Sequence, residues 1–175
     1  NYIDPAKSYH REYTGPNLTQ SDKYDLASGR MIYISMTYNS EGKLLTSVTR
    51  DASGPAGKTI SKTEYEYSQD GLTKTKSTVT KYEYYDDGSI KSEDIKYTDS
   101  KTAVNSYHKK YYYDTGKTLT QVDTIKGAST VVSTTVYGKD RETTTTFNNL
   151  GEVTAIEIKS ASSREKSYYT NAGTR

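Results

Sequence analysis

His10 and His108 are the only imidazoles of this chain. A histidine serves as a general base when a nucleophile and an orienting carboxylate are placed around it. Neither residue has such partners at a recognisable spacing. His10 lies in an irregular stretch, and His108 in a strand-like run with Tyr107, Lys109 and Lys110. Both read as surface histidines. Paired carboxylates occur at Asp86-Asp87 and Glu93-Asp94. Glycoside hydrolysis needs two carboxyls about 5–10 Å apart across a cleft, whereas adjacent residues on a strand point to opposite faces. The first pair reads as a turn and the second as a solvated strand. Asp86, Asp87 and Gly88, or Asp70 and Gly71, offer oxygens to calcium, but fewer than the ~6–8 that ion takes. With no phosphate loop or zinc spacing, the expectation is a protein that is not an enzyme, with no catalytic residue, no metal and no cofactor.

Tyrosine is the remaining chemistry. Tyr65 and Tyr67, Tyr82 and Tyr84, and Tyr111 and Tyr113 are i, i+2 pairs, so each pair shares one face of a strand. If neighbouring strands bring the pairs into register, they form an aromatic strip on which sugar rings stack while the hydroxyls hydrogen-bond. The other reading is that the rings are the core, since a chain short of aliphatics must bury something.

That shortage is pronounced. Seven Leu, nine Ile, eight Val and one Phe are about 14% of the 175 residues, under the ~20% at which disorder becomes a live reading. Disorder also wants a high net charge, and 24 basic against 22 acidic residues leave only +2. The 19 Tyr, against no Trp, supply area in place of aliphatics. The near balance of interleaved charge gives no field for nucleic acid or an anionic membrane. Cysteine is absent, which removes disulfides and thiolate chemistry. No apolar run is long enough for a membrane-spanning helix. A transmembrane barrel is also disfavoured, because Lys74, Lys76, Glu83, Lys91 and Lys96 punctuate strand centres on both parities.

The elements that must carry the tyrosines are marked by a recurring phrase: an aromatic residue, a short polar stretch, then Gly. It occurs at Tyr24 to Gly29, Tyr38 to Gly42, Tyr67 to Gly71, Tyr84-Tyr85 to Gly88, Tyr113 to Gly116, Phe147 to Gly151 and Tyr169 to Gly173. A repeated turn is a repeated hairpin. The tyrosine closes the incoming strand, and Gly takes the left-handed position. Between the turns the residues alternate, as in Ile32, Ile34, Met36 and Tyr38 against Met31, Tyr33, Ser35 and Thr37, which is the period of a strand. In 58–67 neither face is apolar, so cross-strand pairs of Tyr, Thr and opposite charges must contribute ~0.2–1 kcal/mol each in place of a deep core. Residues 72–85 are long for one strand, and a weak turn near Ser77 is expected. No helical spacing occurs. The fold class is all-β: an antiparallel meander of roughly ten to fourteen strands, as an open twisted or single-layer sheet or a partly closed barrel. Residues 1–23 read as an irregular N-terminal segment and 24–175 as the hairpin-repeat domain.

The phrases resemble the tyrosine-aspartate repeats of the RHS/YD-repeat family, Tyr-Asp, two residues, Gly-Arg, then an apolar residue. Tyr38-Asn39-Ser40-Glu41-Gly42-Lys43-Leu44 matches in spacing, with Asn for Asp and Lys for Arg. Tyr85-Asp86-Asp87-Gly88 and Tyr113-Asp114-Thr115-Gly116 are one residue short, and Tyr24-Asp25 reaches Gly29-Arg30 with one extra. The resemblance implies a secreted or surface-associated bacterial β-repeat protein, with some members linked to carbohydrate. The chain is also similar to small exported proteins of Bacteroidales, and its Lys/Thr/Glu-rich strands to the free-standing sheet of spirochaete surface lipoproteins. It is too short to enclose a toxin cargo.

The expected function is therefore a non-catalytic secreted or cell-envelope module that binds glycan or a protein partner through a tyrosine-bearing face, without nucleic acid and without a membrane span. The start at Asn1 rather than Met agrees with a processed product. The alternative is a structural subunit that self-associates by edge-strand pairing, with Thr143 to Thr146 as the pairing segment.

Overall fold

The structure is a computed structural model that describes residues 10–25, 29–52 and 56–169. It is all-β. The strands are β1 His10–Thr14, β2 Asn17–Asp25, β3 Arg30–Tyr38, β4 Leu44–Arg50, β5 Thr59–Tyr67, β6 Lys74–Tyr84 and β7 Ile90–Asp99. They continue as β8 Tyr107–Tyr113, β9 Leu119–Lys126, β10 Thr130–Tyr137, β11 Arg141–Phe147, β12 Val153–Ser160 and β13 Arg164–Tyr168. Their order in the sheet is their order in the chain, thirteen strands from β1 to β13. This is a meander, and it does not close into a barrel. The described residues contain no α-helix; one 3-10 turn, Ala103–Asn105, interrupts the β7–β8 connection.

Two compact units divide the chain. The first comprises residues up to Tyr82 together with Tyr97–Ser106, and the second Glu83–Lys96 with the residues from Tyr107 onward. The first buries one hydrophobic side chain among the described residues, Tyr33, and the second buries Val122 and Ala155. Buried polar groups include Ser21, Thr75 and Thr80 in the first, and Ser92 and Asp123 in the second. Most strand residues are half-buried. Ring and charge pairs take the place of a deep core, as the polar alternation requires. Tyr33, for example, lies under the Arg50 guanidinium at 5.9 Å and donates to Gln20 Oε1 at 2.5 Å.

The structure refines several expectations. Residues 10–23 are not irregular: β1 and β2 pair from His10↔Asp22 to Thr14↔Asn17. Their sequence lacked apolar alternation because both faces are polar, so the strand period was masked. No turn forms at Ser77. The β5–β6 ladder runs unbroken from Ser61↔Lys81 to Glu66↔Lys76, and that pairing sustains a strand longer than the usual five or six residues. Thr143 to Thr146 is no edge, since the β11 backbone is paired with β10 on one side and β12 on the other. Parts of the phrases beginning at Tyr24 and Tyr169 lie outside the described residues, as does the middle of the 52–57 loop.

Candidate functional site

Four of the described turns are built on one frame, and the Gly71 turn, closed from Ser68 N–H to Thr73 O, is a residue longer. The residue after the aromatic bonds across the turn: Asn39 N–H to Lys43 O, Asp114 N–H to Thr118 O and Asn148 N–H to Glu152 O, at 2.9, 3.0 and 2.9 Å. Its side chain then accepts backbone N–H groups, as Asn39 Oδ1 does from Lys43 at 2.8 Å and Asp114 Oδ1 from Thr118 at 2.8 Å. This is a type I turn followed by one left-handed residue, the common three-residue hairpin loop. The left-handed place comes four residues after the aromatic, at Gly42, Gly71, Gly88 and Gly151. By the same frame the aromatic of the third turn is Tyr84, not Tyr85, so this phrase is not short of a residue.

In the Tyr113 turn the frame puts Lys117, not Gly116, in the left-handed place, with φ 66°. Asp114 decides this: its carboxylate and carbonyl hold Thr118 N–H and Lys117 N–H at 2.8 and 3.0 Å, which leaves Lys117 to make the reversal. Lys117 is the one described non-glycine residue with positive φ, a conformation that costs a side-chain-bearing residue roughly 1–2 kcal/mol.

A second repeated device was invisible in the phrase. Past each of several turns the returning strand carries one extra residue, a bulge. It is Thr19 between the pairs Glu12↔Gln20 and Tyr13↔Leu18, and by the same register shifts Thr75, Thr120 and Thr154. A bulge leaves a carbonyl short of a partner. Here each threonine hydroxyl donates to the carbonyl of the residue before the aromatic: Glu12, Glu66, Tyr112 and Thr146, at 3.1, 3.2, 3.1 and 3.2 Å. The sequence signal was a Thr three residues past the left-handed position at Lys117 and Gly151, and four past it at Gly15 and Gly71.

The six candidate tyrosines are all half-buried, neither core nor fully open. They do not form one strip. Across β5–β6, Tyr65 faces Ser77 and Tyr67 faces Lys74, while Tyr82 stands at the far end of β6. Tyr82 belongs to the first unit and Tyr84 to the second. Tyr65 lies under the Lys74 ammonium at 4.9 Å, and Tyr67 donates its hydroxyl to Leu44 O at 2.9 Å. Tyr111 faces Val122 across β8–β9, and burial, with the nearby Tyr107, Tyr137 and Glu93, raises its pKa above the ordinary phenol value.

Tyr84 and Tyr113 do come together. They line a groove of about 470 Å³ between the β6–β7 and β8–β9 turns of the second unit, with Ile90, Glu93 and Lys117. Tyr113 donates to Glu93 Oε2 at 2.7 Å, and its carbonyl accepts the Tyr85 hydroxyl at 2.9 Å. Asp87 holds both Ser89 N–H and Ser89 Oγ, at 2.8 and 2.7 Å, at the groove's edge. The groove thus joins two aromatic rings, a carboxylate and an ammonium on a scaffold fixed by its own hydrogen bonds, the mix that orients a small ligand.

The other candidates fall elsewhere. His10 opens β1, and its side chain lies outside the described ones. His108 has a carboxylate after all: its Nε2 is 2.7 Å from Asp94 Oδ1. Glu93 and Asp94 point to opposite faces, one to Tyr113 and the other to His108, as the strand period requires. Beyond them Glu83 accepts from Ser92 Oγ at 2.6 Å and from Lys110 Nζ at 3.3 Å, and these partners, Ser92 first, lower its pKa. Burial, then the Asp123 carboxylate, pushes Tyr112 up to about 12. Asp123 itself accepts from Gln121 and Thr134 at 3.0 and 2.8 Å. Apart from His108 Nδ1, which is buried without a hydrogen-bond partner, these groups are spent on one another, and the Ser92 hydroxyl on Glu83. Asp70 and Asp87 cap their own turns, with Asp70 held below the usual carboxylate range first by the Ser68 hydroxyl and then by the Leu72 N–H. No group of three or more potential metal-ligating His, Cys, Asp or Glu side chains occurs among the described residues, and no described helix is long and apolar enough to cross a membrane.

No family model and no curated protein matches the chain. Among solved structures it is similar to a protein of unknown function from Bacteroides fragilis NCTC 9343, with 10% identity over 83% of this chain and 96% of that one, and a TM-score of 0.29. A likeness of that size carries no argument about what the chain does.

Proposed function

We propose that the chain is a non-catalytic secreted or cell-surface β-repeat module, and that it binds a glycan in the groove of Tyr84 and Tyr113. The observation that carries this reading is the groove itself. It presents two aromatic rings beside Glu93 and Lys117, and a tyrosine offers a face for a sugar ring and a hydroxyl for its polar rim. The resemblance of the turn phrases to YD repeats supports a place on the bacterial exterior. The test is a glycan screen of the purified chain read by tyrosine fluorescence, which no tryptophan masks. Saturable binding should fall at least tenfold in Tyr84→Ser and Tyr113→Ser variants that keep their circular dichroism, and should persist in Tyr65→Ser. Binding indifferent to Tyr84 and Tyr113 would sink the assignment, and capture of a protein partner in place of any glycan would replace it.

The second reading, a structural subunit joined by strand pairing, draws on β13. It ends the sheet order, and Arg164, Glu165 and Lys166 are exposed along it. Growth of light scattering with concentration, abolished by a proline at Ser167, would favour assembly; a strict monomer at millimolar concentration would end that reading.

A further inference from the structure

The Asp114 cap explains why position 117 is left-handed, but not why a lysine stands there. It occupies a left-handed backbone position that the other turns on the same frame give to glycine, although Gly116 is its immediate neighbour. Among the described residues its ammonium has no ion-pair partner, and Lys117 is one of the residues that line the groove. Turn chemistry alone favours glycine at this place. Backbone strain retained beside a concave site is a reason to look for a use of the strained residue. The use available to an unpaired ammonium at a groove rim is an anion.

We infer that the groove selects an acidic sugar, with the carboxylate of a uronic acid residue held by Lys117 while its ring lies against Tyr84 and Tyr113; this rests on the glycan-binding reading above. The opposite side of the groove narrows the class. Glu93 is half-buried, and one of its oxygens already accepts from Tyr113 at 2.7 Å. Its remaining oxygen accepts a sugar hydroxyl, but its charge repels a ligand that is anionic all round. A heavily sulfated chain is therefore disfavoured, and one carboxylate per ring, with hydroxyls elsewhere, fits both walls. Ser89, with its N–H and hydroxyl both committed to the Asp87 carboxylate, stiffens the rim.

The substitution that tests this separates binding from folding. Lys117→Gly relieves the left-handed position, so the protein should unfold at a temperature higher by about 1–2 °C while it loses the anion contact. Calorimetry of the full chain would use an oligogalacturonate and the same oligosaccharide with its carboxyls reduced to alcohols. The expected result is that the wild type binds the uronate at least tenfold more tightly than the reduced form and that added salt narrows the gap. Lys117→Gly and Lys117→Gln should each bring the uronate down to the affinity of the reduced sugar. Equal binding of both sugars, unchanged in Lys117→Gly, would overturn the acidic-sugar assignment and leave the glycan module standing. If neither sugar binds and the wider glycan screen is also blank, the module reading fails, and this inference with it.

Discussion

The two units use one turn frame to opposite ends. In the first, phrase tyrosines are spent on the neighbouring strand: Tyr38 donates to Leu18 O at 2.7 Å and Tyr67 to Leu44 O at 2.9 Å. Leu18 and Leu44 are themselves the residues opposite Tyr13 and Tyr38, so each hairpin is tied to the end of the one before it. The turns also touch, for Asn39 Nδ2 donates to Gly71 O at 2.9 Å. In the second unit, Tyr113 donates instead to a carboxylate, Glu93, Phe147 has no hydroxyl to give, and the tie to the next hairpin comes from Tyr85, which donates to Tyr113 O at 2.9 Å. A groove lies between its first two turns, and a Cβ added at Gly127 or Gly151 would meet nothing within 4 Å. One turn frame thus puts turn against turn at Asn39 and Gly71 in the first unit, and in the second leaves a groove beside the Tyr85 tie.

The comparison is most sharply broken at the glycines. A Cβ on Gly71 would lie 3.0 Å from Glu41 Cγ and 3.2 Å from Asn39 Nδ2, and φ there is +71°. Gly71→Ala should cost about 2 kcal/mol, strain plus crowding, whereas Gly151→Ala should cost about 1 kcal/mol from strain alone. Denaturant titration of both variants measures the difference, and equal losses would deny the stacking of turns in the first unit. Next come the hydroxyls: Tyr67→Phe should lose about 1 kcal/mol, the worth of one hydrogen bond to a carbonyl, and Phe147→Tyr should be near neutral because no tie exists to complete. At the same scale, Thr75→Val and Thr154→Val should each lose about 1 kcal/mol by leaving a bulge carbonyl unpaired, equally in both units, since the bulge is common to them. Lys117→Gly should gain about 0.5 kcal/mol, as relief of the left-handed strain is partly offset by the entropy of glycine. The last effect is confined to alkaline pH. Tyr112 is kept protonated up to about 12 against an ordinary 10, so its contribution is complete below pH 10 and is lost as pH rises towards 12. Ultraviolet titration of tyrosinate should show that the latest phenol vanishes in Tyr112→Phe while the raised Tyr111 remains; a curve unchanged by that substitution would place the latest phenol elsewhere.

Much of the fold was legible because its signals are local. The alternation around Ile32, Ile34 and Met36 and the turn phrases at Gly42, Gly71 and Gly151 each report strands and reversals within a few residues. The β1–β2 hairpin escaped because both of its faces are polar. The threonine bulges escaped because a bulge is a property of two strands. The candidate tyrosine pairs do not come into register as one strip. Pairing Tyr65 with Tyr82 by sequence ignores register, and the β5–β6 ladder puts them at opposite ends.

By itself the sequence determined an all-β meander with tyrosine in place of aliphatics, since period, turn residues and composition act over short range. Only the tertiary structure decided that Tyr84 and Tyr113 meet, that Asp94 stands by His108, and that Lys117 rather than Gly116 makes the reversal. The first two join residues on different strands and depend on register and stacking. The third was set by the Asp114 cap, whose bond to Thr118 fixes which residue of the loop must turn left-handed.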